Sequence, residues 1–156
     1  KINIMKNNIL KSVFTLLILS VTLLSCNHDD EAASPPPPPG LPELLYAEGG
    51  ESTMTSVTNP IALSSSKEIF GRNGSTNVIE IKLSSLAVGT YTISGVNQFT
   101  YTRLGTSSPW TAILGTITIT MNTGTELSGS FDLTAGNSTL GINSVSGSFS
   151  NITINP

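Results

Sequence analysis

Residues 41–156 are predicted to form an all-β fold, an antiparallel β-sandwich with an open β-barrel as the alternative, and three observations carry that expectation. Serine and threonine supply 36 of these 116 residues while only 11 carry a charge, and branched threonine fits a half-buried pleated surface. Apolar residues recur at every second position, and no window repeats them at helical spacing over three turns, so almost no helix is expected. Clusters rich in Gly, Asn and Thr separate the alternating runs at Asn73-Gly74, Asn122-Thr123-Gly124 and Ala135-Gly136-Asn137, where left-handed backbone is cheapest.

The segments ahead of that domain have a different composition. Met5, followed by Lys6 and Lys11, reads as the initiator, which makes residues 1–4 untranslated overhang. Val13–Leu24 is a run of twelve mostly apolar residues, which suits the helical core of a signal peptide and falls short of the roughly 20 that a spanning helix needs. Residues 1–25 are therefore expected to be a signal peptide.

The run ends Leu23-Leu24-Ser25-Cys26, which resembles the lipobox of bacterial lipoproteins. The resemblance implies cleavage before Cys26 and thioether-linked acylation of its thiol. One acyl chain anchors marginally and several anchor stably, so acyl chains on Cys26 would provide the membrane partnership. Cys26 is the single cysteine of the chain, which excludes an intrachain disulfide. Asp29, Asp30 and Glu31 resemble the export signal that follows the lipidated cysteine in surface lipoproteins of Bacteroidetes, implying a lipid-anchored, surface-exposed position on the outer membrane. As a plain acidic linker, the same residues would leave the protein facing the periplasm.

Ala32–Gly40 contains five successive prolines, which favour an extended, stiff polyproline spacer. Residues 26–40 thus form a tether. From Cys26 onward four basic and ten acidic residues leave a net charge of −6, which argues against nucleic acid or anionic lipid as a partner.

Within the domain, Thr53–Val57 and Ile61–Ser65 read as two weak strands, with Pro60 confining the stretch between them to an edge or a turn. Asn77–Leu83 sets Ile79, Ile81 and Leu83 against Glu80 and Lys82, and Thr90–Ser94 turns Tyr91 and Ile93 inward. These two runs are expected to form a hairpin or a tight turn. Asn97–Arg103 alternates Phe99 and Tyr101 with threonines, and Thr116–Met121 alternates Ile117, Ile119 and Met121 with threonines. The pattern Leu127-Ser-Gly-Ser-Phe131 returns eighteen residues later as Val145-Ser-Gly-Ser-Phe149, so two adjacent or facing strands should offer the core the same apolar, Gly, Phe series. Beyond Phe149 the apolar parity shifts to Ile152 and Ile154, which requires a bulge near Ser150 and Asn151.

Taken together, IEIKLSSLAVGTYTI, GTITIT, LSGSFDLTAGN and SVSGSFSNI make Asn77–Pro156 resemble an uncharacterised lipoprotein domain of Bacteroidetes, domain of unknown function 6252. That resemblance implies a small all-β lipoprotein and assigns no catalytic residue.

Composition also bounds the chemistry. His28 and Cys26 both precede the domain, leaving it neither imidazole nor thiol, and a Ser/Lys pair on Lys67 or Lys82 has no sequence support. Glu80, Glu126 and Asp132 are the carboxylates that would have to converge for glycosidase chemistry. The expectation is a non-enzyme without metal or cofactor, its partner a glycan or an envelope protein. Trp110, Tyr101 and Tyr46, with Phe99, are the candidate ligand-binding residues, since flat aromatic faces stack on sugar rings; that role requires Trp110 exposed beside another aromatic. Otherwise Trp110, after Ser107-Ser108-Pro109, caps the end of the core. The Thr116, Thr118, Thr120 ladder reads as an ordinary wet strand face.

Overall fold

Alternation becomes pairing in the computed structural model, which describes residues 40–136 and 141–156. The leader, Cys26, the acidic triplet Asp29, Asp30 and Glu31 and the proline run lie outside the described residues. Nine strands follow in order: β1 (Glu43–Glu48), β2 (Thr55–Leu63), β3 (Glu68–Asn73), β4 (Thr76–Lys82), β5 (Gly89–Thr92), β6 (Gln98–Tyr101), β7 (Trp110–Asn122), β8 (Glu126–Gly136) and β9 (Ser144–Asn155).

The all-β, antiparallel expectation holds, and the sandwich does not. From β1 the neighbours run β2, β3, β4, β6, β7, β8 and β9, and β9 pairs with β1 again along Glu43↔Ser150 to Glu48↔Val145. Eight strands thus close a barrel, in up-and-down order. The open barrel named as the alternative comes nearer, but these eight strands close on themselves, and β5, paired with β7 alone, flanks the ring. Where β1 has not yet begun, β2 and β9 meet directly in parallel at Ala62↔Ile154. β7 is long enough to serve two partners on one edge, β6 at Trp110 and Thr111 and β5 at Thr116–Ile119.

Two other pairings differ from expectation. Residues 53–57 and 61–65 do not make two strands: β2 runs through Pro60, with a register shift between Thr58 and Ile61 and a left-handed Asn59 at φ 50°. Pro60 sits where β2 leaves β1 for β3, and the missing amide costs least at such a bulge. Nor do β4 and β5 form a hairpin; β4 lies between β3 and β6, and β5 pairs with β7.

The β8–β9 expectation holds in detail. The two Ser-Gly-Ser-Phe segments are neighbours, with Gly129 opposite Phe149, Ser130 opposite Ser148 and Phe131 opposite Gly147. The register then slips by one residue between Phe149 and Ile152, with Asn151 at φ 51° and its amide donating to Ser128 Oγ at 3.0 Å. That bulge returns Ile152 to the interior. The barrel is filled by one apolar cluster that includes Leu44, Ile69, Ile81, Phe99, Ile117, Leu133 and Val145.

Candidate functional site at the barrel rim

The candidate aromatics converge, although not on the surface. Alternation turns Tyr46 on β1 and Tyr101 on β6 inward at the same end of the barrel, where their rings lie 5.1 Å apart at 50°. Trp110 opens β7 at that end instead of riding a loop, and it is fully buried at 0% exposure. Its indole Nε1 donates to the Ile142 carbonyl at 2.9 Å, and its ring meets Phe99 edge-on at 6.2 Å. Gly136 makes room for it: a Cβ there would overlap the indole. The exposed aromatic platform is therefore corrected. Trp110, Tyr101 and Tyr46 close the core because burying large rings outweighs presenting them to water, while their polar tips still find partners.

Above these rings lies a polar rim that sequence reasoning missed. Glu48, at the last position of β1, accepts a hydrogen bond from the Tyr101 hydroxyl and a forked pair from Arg103, whose Nε lies 3.1 Å from Oε2 and whose Nη2 also bonds Oε2. Tyr101 has one phenolic proton, and the carboxylate takes it. The 3.5 Å approach of the Tyr46 hydroxyl is then one in which Tyr46 donates, at a length where such a bond is weak. The pairs span 53 and 55 residues of sequence, so only the closed register brings them together.

The electrostatics follow from these contacts. Burial pulls the Glu48 carboxyl upward, but hydrogen bonds from Arg103 and Tyr101 and the guanidinium charge outweigh it, and its pKa is lowered. Burial and the bond to Glu48 push the Tyr101 phenol far above the ordinary tyrosine range. A carboxylate so satisfied is a poor proton acceptor near neutrality. Glu48, Glu51, Arg103, Gly141 and Ile142 line a cup of about 220 Å³ over this network. Arg103 keeps 42% of its side chain exposed, and among the described residues its bonds to Glu48 use Nε and Nη2, not Nη1.

The three carboxylates singled out for glycosidase chemistry are spread over two strands, β4 and β8. Asp132 points outward from β8, six residues or about 20 Å along the strand from Glu126. Glu80 is on β4, where it accepts from Asn77 Nδ2. Among the described residues no group of three or more His, Cys, Asp or Glu could hold a metal ion.

A second ordered feature is the outer face of β5, β7, β8 and β9. The registers align Thr90, Thr118, Ser130 and Ser148 in one row and Thr92, Thr116, Asp132 and Ser146 in the next. Threonines 116 and 118 of the predicted ladder thus belong to a hydroxyl grid spread over four strands.

Comparison with protein-family models, with curated proteins and with solved structures finds no match.

Proposed function

We propose that this chain is a lipid-anchored protein of the outer membrane, surface-exposed, whose barrel is a noncatalytic binding or structural module. In this reading acyl chains on Cys26 hold it to the membrane, Asp29, Asp30 and Glu31 direct export, and the proline run spaces the barrel from the lipid. Membership of the uncharacterised lipoprotein domain named above belongs to the same reading.

The supporting observation is the polarity of β1. Gly40, where the tether reaches the barrel, lies against the Asn151 side chain beside the β9 bulge. Glu48 ends β1 eight residues on from Gly40, and the strand from Glu43 to Glu48 rises about 17 Å. A barrel tethered at Gly40 therefore carries the Glu48–Arg103 cup at the far end of its first strand, the end suited to meeting a partner.

Cysteine accessibility tests the orientation. If acylation consumes the Cys26 thiol, Ser52→Cys on the rim loop supplies the sole free thiol. A membrane-impermeant maleimide should label it equally in intact and lysed cells; labelling only after lysis contradicts surface exposure.

One observation favours the carbohydrate-binding alternative, namely the hydroxyl grid, whose regular rows match the repeating hydroxyls of an extended glycan. Retardation in polysaccharide-containing gels that Thr118→Val weakens would support it, and unchanged mobility in every such gel would remove it.

A further inference from the structure

At the end of the barrel opposite the rim, three connections and the end of β9 gather around a depression of about 350 Å³. Ser64 and Lys67 belong to the β2–β3 turn, Leu86 and Ala87 to the β4–β5 connection, Asn122 to the end of β7 and Ile154 to the end of β9. Leu86, Ala87 and Ile154 make its floor apolar.

The walls are held in place by their own backbone. The Ser64 amide donates to Asn155 O at 2.8 Å, the Leu83 amide to Lys67 O at 3.0 Å and the Ile154 amide to Thr125 O at 2.8 Å. The Tyr91 hydroxyl donates to Ala87 O at 2.6 Å. Asn122 is spent on both sides, with Nδ2 donating to Leu86 O at 2.8 Å and Oδ1 accepting from the Gly124 amide at 2.7 Å. Walls already ordered lose little freedom when a ligand arrives.

One charge remains available. The ion pairs among the described residues join Lys82 to Glu68 and Arg103 to Glu48, which leaves the Lys67 ammonium without an acidic partner. Lys67 is exposed and sits in left-handed backbone at φ 58°, a conformation that costs a non-glycine residue energy.

We propose that this depression binds a free single-chain carboxylate amphiphile of medium length, its alkyl chain on Leu86, Ala87 and Ile154 and its head on Lys67. The volume stands near the lower end of small-molecule sites, about 300–1,000 Å³, which favours one short chain over a two-chain lipid. The apolar floor supplies affinity, and the lone cation selects an anion over an alcohol or ester. No residue is shared with the rim, so this test and the envelope test fail separately.

The test uses the purified full chain, photolabelled with a diazirine-bearing decanoate and mapped by mass spectrometry. Label should concentrate on residues 83–88 and 150–156. It should fall about fivefold with Lys67→Glu, or with the methyl ester of the probe on the unaltered chain, and persist with Lys67→Arg. Ala87→Trp, which fills the depression from an exposed position, should remove it, with Trp110 emission in the Lys67 variants and near-ultraviolet circular dichroism in Ala87→Trp reporting that each variant is folded. Label spread evenly over the barrel, label indifferent to Lys67→Glu and to the ester, or equal labelling of these segments by a diacyl phospholipid probe would overturn the proposal.

Discussion

Gly129 faces Phe149 across the β8–β9 ladder, and two residues on each strand away Phe131 faces Gly147, so each ring lies over the other strand's glycine. A Cβ at Gly129 would stand 2.9 Å from Phe149 Cε2, and one at Gly147 the same distance from Phe131 Cε2, each also meeting the backbone oxygen of the strand on its far side. The repeated Ser-Gly-Ser-Phe is therefore a reciprocal lock, with glycine as the socket and phenylalanine as the bolt.

Gly129→Ala and Gly147→Ala should each destabilise the fold by about 2 kcal/mol or more, since neither a ring in a filled core nor a ladder carbonyl can retreat. Urea unfolding reads the loss; Ser130→Ala, one residue away on the wet face, should change stability by less than about 0.5 kcal/mol.

The rim network should make stability depend on pH in both directions. The Glu48 pKa is lowered in the fold, so its contribution is present above the unfolded carboxyl pKa and disappears as pH falls through the folded one. Glu48→Gln should cost about 1 kcal/mol at neutral pH, with exposure to solvent limiting the effect, and the gap to wild type should close in acid.

On the alkaline side the sign reverses. The Tyr101 pKa is raised, so the folded state holds that proton more tightly, and stability should be lost as pH rises above the ordinary phenol pKa of about 10. Tyr101→Phe should flatten that alkaline limb in thermal unfolding followed by circular dichroism.

Trp110, the sole tryptophan, should emit at short wavelength and resist quenching by iodide. Trp110→Phe should cost about 1–3 kcal/mol, because it leaves the Ile142 carbonyl without its donor. A red-shifted, readily quenched emission would return this side chain to the surface.

Much of the fold was legible in the sequence, for reasons that particular residues make plain. The parity change from Phe149 to Ile152 forces a bulge on any strand that buries both, and Asn151 supplies it. Alternation alone marks Ile79, Ile81, Phe99, Tyr101, Ile117 and Ile119 as core. Closure was not legible, because inward-outward alternation is the same in a sandwich and in a barrel, and what distinguishes them is the pairing of β1 with β9 a hundred residues away. β1 itself, Glu-Leu-Leu-Tyr-Ala-Glu, hides its period behind consecutive apolar residues. Ser107-Ser108-Pro109 suggested a loop around Trp110, although Ala112, two positions on and buried, already gives the inward phase. The Glu48–Arg103 pair had no local signal, since both are strand-end charges that look solvated until the ring closes.

The central claim, that this barrel is held to an envelope through Cys26, is tested most directly by metabolic labelling with a palmitate analogue. The wild type should incorporate label and fractionate with the outer membrane, while Cys26→Ala should incorporate none. Equal labelling of the two, or recovery of the wild type from the cytosol with its leader intact, would contradict it.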